Sequence, residues 1–413
     1  MVDRATLPDR EGIDGAVSID VVSIDGAGRG GGVAEAAPTP ASPDTGAPVT
    51  AEPPRRARWC LGTRLLVVGG LGWAAFVLLH LILSGRWWVW LLVETFPPVV
   101  LLVVPLVLLA AVPLAARTVR VPMLVPLLAA LLAGAPLAGV TPRTLLPVAA
   151  PPPGAVRVFS WNPEYWHQND DPDRFYAYLR AQRADVYLLQ EYLYHTDRPI
   201  RLTELDRLRA EFPDYQVTVA SELVTLSRLP VVAVRPIDAS PWLSARTGST
   251  PPAGTDWPEY WTTKALRTDL RIGTEVVSFY NVHLAVQVEI DRSPLRADFY
   301  QFVRSQFHRR DAHLRALHAD LAANPHRVLL SGDLNATSAM RDLRRIGTGL
   351  RRHDPTAGAL VPTSWPTRGV PLPRLWRLDW TFTRGALAVH DYRLVADEGL
   401  SDHRAQRLAI SLS

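Results

Sequence analysis

The chain has 413 residues, of which 48% are hydrophobic and 20% are charged, with a formal net charge of +4 and one cysteine. So much apolar sequence excludes a wholly disordered chain, and a single cysteine excludes a disulfide-stabilised scaffold. The apolar residues are unevenly spread, because residues 61–149 contain only six charged side chains. The length therefore divides into regions of different kinds.

The first region, residues 1–54, contains nine acidic and three basic residues and no aromatic residue. Such a composition buries too little apolar surface to offset the entropy of ordering, so we predict a disordered tail. Its acidic start is not that of a signal peptide, which carries positive charge followed by an apolar stretch.

Three apolar runs follow, at about residues 61–83, 88–116 and 121–140. Each exceeds or approaches the roughly 20 helical residues that span a bilayer, so residues 61–140 are predicted to be a bundle of about three transmembrane helices. Membrane helices tolerate proline when neighbouring groups satisfy the freed carbonyls. The second run contains four prolines, which leaves two alternatives, a kinked span and a re-entrant segment.

The arginines predict the orientation of these runs. They cluster before the first run and between the second and third, whereas only Arg86 lies between the first and second. The positive-inside rule places the tail in the cytoplasm, and three crossings then place the rest of the chain outside the plasma membrane. A re-entrant second segment would instead return it to the cytoplasm.

A proline-rich linker, residues 141–154, leads into a region of ordinary charge density, residues 155–413. Strand-like runs alternate there with helical patterns, the longest of which covers residues 296–323. We therefore predict an α/β domain with many strands.

Polar residues interrupt or end several of these apolar strands. An ionised carboxylate at the end of a buried strand is costly unless it is paired or binds a metal ion. Carboxylates, amides and histidines without cysteine favour a hard cation, Mg²⁺ or Mn²⁺. The residues are Asn162, Glu191, Asn281, His283, Asp333, Asn335, Asp379, Asp402 and His403.

The short motifs around these residues, in particular Ser-Trp-Asn, Leu-Leu-Gln-Glu, Asn-Val-His-Leu, Gly-Asp-Leu-Asn and Ser-Asp-His, occur in the order found in a known family. Residues 155–413 resemble the endonuclease/exonuclease/phosphatase superfamily, which includes DNase I-like nucleases. The resemblance implies a four-layer α/β/β/α sandwich and metal-dependent hydrolysis of a phosphoric ester or pyrophosphate.

The same resemblance implies a metal site. Glu191 would be the principal Mg²⁺ ligand, supported by Asn162. Asp402 would contribute directly or through water.

Five further residues are implied to be catalytic. Asp333 would orient or deprotonate the attacking water, and Asn335 would hydrogen-bond a phosphate oxygen. His283 would donate to the non-bridging phosphate oxygens as charge builds there. His403 would be the second catalytic histidine, with Asp379 fixing its tautomer and raising its basicity.

Other polar residues have simpler interpretations. Asn281 is equally well explained as a strand-end cap and as an active-site group. Eight histidines outside these motifs, among them His313 and His353, are interpreted as solvated.

The substrate is less closely defined by the residues. Residues 155–413 carry 33 basic and 30 acidic side chains, a balance that disfavours a nucleic-acid-coating surface. The arrangement of an apolar bundle before this domain resembles the VanJ-type membrane proteins of actinobacteria. That resemblance implies a lipid-linked phosphate such as undecaprenyl pyrophosphate at the outer membrane face.

Two alternatives stay open. An extracellular nuclease acting on DNA or RNA is the second hypothesis, and a catalytically inactive interaction module is the third. Aromatic residues within 241–261 and 299–307 either touch lipid headgroups or pack as ordinary loops.

Overall fold

The computed structural model describes residues 59–145, 147–148, 150–167, 170–193, 204–244, 247, 258–290 and 292–412. The predicted disordered tail and parts of the linker and of segment 241–261 lie outside the described residues.

The apolar region folds into four helices. They are α1 (Leu61–Leu83), α2 (Trp90–Glu94), α3 (Val100–Ala111) and α4 (Arg117–Leu137). Among the described residues, only α1 and α4 are long and apolar enough to cross a membrane, while the helical stretch Val100–Leu114 is shorter. The prediction of about three spanning helices is therefore corrected to two. The second run is divided because Pro97 and Pro98 lack the amide donors that would continue a helix from α2.

Helices α1 and α4 run parallel to each other, and α3 runs antiparallel to both. The backbone amide of Ala116, before α4, donates to the Thr63 hydroxyl near the start of α1 at 3.0 Å. Leu127 of α4 and Leu66 of α1 are buried in one core, whereas Leu65 and Val125 are exposed. The outward faces of the two long helices are thus apolar, which is unusual for a surface in contact with water.

The rest of the described chain contains twelve strands. They are β1 (Val156–Trp161), β2 (Val186–Leu189), β3 (Gln216–Ala220), β4 (Leu223–Ser227), β5 (Val231–Asp238), β6 (Thr263–Ile272), β7 (Glu275–His283), β8 (Arg327–Asp333), β9 (Arg351–His353), β10 (Asp379–Arg384), β11 (Leu387–Val395) and β12 (Ala405–Leu412). One sheet has the order β11-β12-β1-β2-β4-β3 and the other β5-β6-β7-β8-β10-β9. Each sheet is mixed, with one parallel pair, β1/β2 or β7/β8.

Helices cover the outer face of each sheet. They are α5 (Pro172–Ala181), α6 (Leu205–Glu211), α7 (Ala297–Ala323) and α8 (Arg341–Ile346). Phe175 of α5 and Leu208 of α6 pack with the first sheet, and Val303 of α7 packs with the second. A third apolar core, including Leu188 and Phe279, lies between the sheets. The predicted α/β fold with helix, sheet, sheet and helix layers is confirmed.

Strand register gathers polar residues at one edge of the second sheet. His283 at the end of β7 pairs with Asp333 at the end of the parallel strand β8. Asp379, at the start of the antiparallel strand β10, also pairs with Asp333. Three residues far apart in sequence therefore meet because their strands start or stop at the same level.

Gly332, which precedes Asp333 at this edge of the sheet, lies where there is no room for a side chain. Its φ is +154°, and an added Cβ would lie 2.0 Å from the Val282 carbonyl oxygen. We expect Gly332→Ala to lower the free energy of unfolding by about 3 kcal/mol or more, because backbone must move. At Gly273, with φ +61° and no atom within 4 Å, alanine should cost only about 1–2 kcal/mol of backbone strain. Thermal unfolding in detergent would compare them, and equal losses would contradict the steric explanation.

Candidate active site

Eight side chains singled out from the sequence meet where the two sheets adjoin. Hydrogen bonds and short polar distances connect them into one group. They are Asn162, Glu191, His283, Asp333, Asn335, Asp379, Asp402 and His403.

His403 and Asp379 form a buried pair. The imidazole Nδ1 lies 2.9 Å from Asp379 Oδ2, so it carries a proton donated to the carboxylate. The other nitrogen, Nε2, lies 3.6 Å from Asp333 Oδ2 and 3.9 Å from Asp402 Oδ1. Burial disfavours the cation, but the Asp379, Asp333 and Asp402 carboxylates outweigh burial and raise the pKa of His403 well above its usual range. The pair thus presents a polarised nitrogen to the centre of the site.

The Gly-Asp-Leu-Asn motif makes a tight turn at the end of β8. The Asn335 amide donates to Asp333 Oδ1 at 2.8 Å, and Asn335 has a left-handed backbone, with φ +44°. Asparagine adopts that conformation more readily than most residues. The Asn335 side chain then donates to the Leu284 carbonyl at 3.0 Å and lies 3.3 Å from His283 Nε2. The spacing of the motif is explained by this turn.

Glu191 lies beside Asn162. The Asn162 Nδ2 group donates to Glu191 Oε1 at 3.0 Å and to Asp333 Oδ2 at 3.1 Å, and the Tyr165 amide donates to Glu191 Oε2 at 3.0 Å. Burial, with repulsion from Asp402 and Glu222, raises the pKa of Glu191 to about 7 against the influence of His283. The amide nitrogen of Asn162, not its oxygen, faces the carboxylates.

This group fits a divalent cation. Burial is the main cause that raises the pKa of Asp333, as it is for Glu191. The positive charge near these two carboxylates therefore does not offset the cost of burying their negative charge. Asp379 Oδ1 is buried without a hydrogen-bond partner among the described residues. Ligand atoms of Asp333, Asp379 and His403 also lie within 4.8 Å of one another, which gives a second group able to hold an ion. Oxygen-rich donors without cysteine suit Mg²⁺ or Mn²⁺.

Two residues of the site were missed by the sequence analysis, Glu222 and Lys264. Glu222 Oε1 lies 2.9 Å from His283 Nδ1, and its carboxylate forms a buried ion pair with Lys264. Burial alone would raise the pKa of Glu222, but Lys264 and His283 outweigh burial and lower it to about 2. Lys264 is the single lysine of the chain and follows the aromatic segment 241–261. These two sequence features could have indicated that Lys264 has a special role. Nothing local distinguishes Glu222.

Three other residues are explained by packing. Asn281 lies between the sheets, where its amide nitrogen donates to the Leu189 and Val224 carbonyls at 2.8 and 3.0 Å. His313 and His353 are buried, with Nε2 contacts to Trp261 O and Thr383 Oγ1, so the interpretation of these two histidines as solvated was wrong.

Known proteins resemble this chain in sequence profile and in fold. The sequence profile of the Endonuclease/Exonuclease/phosphatase family matches residues 156–403. No curated protein matches the chain.

Solved structures show weak likeness. An endonuclease/exonuclease/phosphatase family protein from Leptotrichia buccalis is 12% identical, with 62% of this chain and 100% of that chain covered and a TM-score of 0.44. One from Beutenbergia cavernae is 19% identical, with 63% and 72% covered and a TM-score of 0.41. Sphingomyelinase C from Streptomyces griseocarneus is 18% identical, with 63% and 99% covered and a TM-score of 0.42. These likenesses carry no argument about substrate.

Proposed function

The chain belongs to the endonuclease/exonuclease/phosphatase family, and from that premise we propose that it is anchored in a membrane and acts on a lipid-linked phosphate. It is a metal-dependent phosphoester hydrolase, as members of this family are. The substrate, the anchoring and the roles of individual residues are our proposal.

Glu191 and Asp402 would hold the cation, which we take to be Mg²⁺, and Asn162 would support Glu191. When bound, the cation neutralises phosphate charge and stabilises the leaving oxygen. Asn162 orients Glu191 through its hydrogen bond to Oε1. Asp402 is held by the Trp365 indole, which donates to Oδ2 at 2.7 Å, so Oδ1 stays directed into the site.

The remaining residues would bind phosphate and move protons. Asp333 orients the attacking water and accepts its proton. The backbone amide of Asn335 holds this carboxylate in place for that role. His403 would donate a hydrogen bond from Nε2 to a phosphate oxygen of the substrate, while Asp379 keeps the proton on Nδ1. His283, fixed by Glu222 at 2.9 Å, donates to a non-bridging oxygen as negative charge develops.

One observation carries the membrane proposal, namely that the apolar bundle packs against the edge of the active site. The Trp376 indole donates to the Thr95 carbonyl, between α2 and α3, at 2.8 Å. The rings of Trp376 and Trp365 contact each other at 5.6 Å between centroids, and Trp365 bonds Asp402. A bundle with outward apolar faces would thus hold the catalytic edge close to a bilayer.

The arginine distribution supports a cytoplasmic tail, residues 1–54, and an extracytoplasmic domain, residues 155–413. Because α1 and α4 run parallel, both would cross from the cytoplasmic to the outer side. Residues 90–116, which run from His80 at the end of α1 back to Thr63 at its start, would return the chain between them without forming a third long helix. We propose a plasma-membrane protein of this topology, similar in arrangement to the VanJ-type proteins, with the linker at residues 141–154.

A substrate panel tests the proposal. Full-length protein in detergent with Mg²⁺ would be offered undecaprenyl pyrophosphate, sphingomyelin, a phosphoinositide and duplex DNA, with phosphate or phosphoester release as the readout. We expect the pyrophosphate lipid to be hydrolysed at least about tenfold faster than DNA, by kcat/KM, because the near-neutral domain offers little charge for a polynucleotide. Hydrolysis of DNA alone would overturn the lipid proposal and favour the nuclease.

A further inference from the structure

The loop that follows Asp333, residues 334–340, joins β8 to α8 and carries Asn335. All seven of its residues are buried. Its described backbone hydrogen bonds include Leu334 to the Leu378 carbonyl at 3.0 Å and Met340 to the Thr337 carbonyl at 3.0 Å. Because no regular element runs through the 334–340 loop, its position depends on the groups packed against it.

On the domain side, Arg310 of α7 holds the beginning of this loop. Its guanidinium donates to the Leu334 carbonyl at 3.2 Å, to the Ala285 carbonyl at 2.5 Å and to Asp342 Oδ2 at 2.9 Å. Ala285 lies two residues after His283. Arg310 therefore connects the segments that follow the two strands carrying His283 and Asp333.

On the other side, the helical bundle holds the end of the loop. The Arg341 amide, the first of α8, donates to the Ser84 hydroxyl at the end of α1 at 2.9 Å. His80 Nε2 lies 3.0 Å from the Ala339 carbonyl. The Ser338 hydroxyl donates to the Leu137 carbonyl at the end of α4 at 2.7 Å.

The tautomer of His80 follows from its second contact. The Trp90 indole donates to His80 Nδ1 at 3.1 Å, and an indole N–H is only a donor. Nδ1 is therefore the acceptor, and Nε2 carries the proton that is donated to Ala339. His80 is suited to this place because it accepts from α2 and donates to the loop at once.

Water is excluded from this contact. His80 and Ser84 are 2% and 0% exposed, and Ala339 packs into the same apolar core as Val77 and Leu101 of the bundle. Gly85 allows the close approach, since an added Cβ would lie 2.9 Å from Arg341 Cβ. A hydrogen bond lost here cannot be replaced by solvent, so its loss moves the backbone or leaves a buried group unpaired.

We propose that Ser84 and His80 are positioning residues for the active site. They fix Arg341 and Ala339, and the 334–340 loop transmits that constraint to Asn335, whose amide holds the Asp333 carboxylate. The bundle is thus part of the catalytic apparatus as well as an anchor. This inference rests on the hydrolase activity of the family and does not depend on a lipid substrate.

The test uses full-length protein in detergent and a soluble phosphodiester, bis(4-nitrophenyl) phosphate. We expect Ser84→Ala to lower kcat about tenfold with KM changed less than about twofold, because misplaced catalytic groups slow the chemical step. Ser84→Thr, which keeps the hydroxyl, should restore most of kcat. His80→Leu should behave like Ser84→Ala, whereas His80→Gln, which can both accept and donate, should retain activity.

The matched control is Thr63→Ala, which removes a buried hydroxyl that accepts a backbone amide at the opposite end of the bundle. It should lower the melting temperature without changing kcat. Hydrogen exchange of residues 333–341, followed by mass spectrometry, should rise in Ser84→Ala and not in Thr63→Ala. Equal kcat and equal exchange in Ser84→Ala, His80→Leu and Thr63→Ala would overturn the proposal, whichever substrate the panel identifies.

Discussion

Replacement of His403 by alanine is expected to slow phosphoester hydrolysis by about a thousandfold, in the range of general acid–base contributions. The imidazole is the side chain that presents a polarised nitrogen between Asp333 and Asp402, at 3.6 and 3.9 Å. Its removal also leaves the buried Asp379 carboxylate without its observed donor. The measurement is kcat/KM on the best substrate of the panel, with the melting temperature recorded alongside.

His353→Ala is the matched control for that variant, because His353 is also buried and bonds Thr383 away from the site. It should lose stability and keep its rate. Asp379→Asn would distinguish orientation from charge, since asparagine keeps the shape but no longer stabilises an imidazolium. A folded His403→Ala protein with undiminished hydrolysis would refute the role proposed for His403.

Glu191→Gln is expected to lower hydrolysis by about a thousandfold and to weaken Mg²⁺ binding by at least about tenfold, since even residues that only orient metal ligands have effects of that size. Both Glu191 oxygens accept hydrogen bonds, one from Asn162 and one from Tyr165. The side-chain NH₂ group of a glutamine would face one of these N–H donors, so one hydrogen bond would also be lost. Calorimetric titration with Mg²⁺, and with Mn²⁺ as a second probe, measures binding independently of turnover.

The control for Glu191→Gln is Asp320→Asn, which neutralises a buried carboxylate paired with Arg267 outside the site. It should unfold more easily and bind Mg²⁺ with unchanged affinity. If the Mg²⁺ affinity of Glu191→Gln is unaltered, Glu191 is not the principal ligand, and the cation-binding site is instead the group of Asp333, Asp379 and His403.

The positions of the strand-end residues were predictable from sequence. Acidic and amide groups stand out against apolar strands, and short motifs preserve local geometry such as the turn from Asp333 to Asn335. The bounds of α1, Leu61–Leu83, agree with the first apolar run, because an uninterrupted apolar run without proline forms a single helix.

The second apolar run was not predictable in the same way. Hydropathy counts apolar side chains and ignores backbone hydrogen bonds, so it passes over the break at Pro97 and Pro98. Within residues 88–116, the longest helical stretch is Val100–Leu114, which is shorter than a membrane-spanning helix.

The sequence by itself therefore determined the family motifs, the α/β class and the apolar character of the N-terminal region, since each depends on neighbouring residues. Only the tertiary structure decided which groups support the site. Glu222 reaches His283 across 61 residues, and Ser84 reaches Arg341 across 257. Such contacts are set by how sheets and helices pack, and no local pattern of side chains encodes a partner that distant.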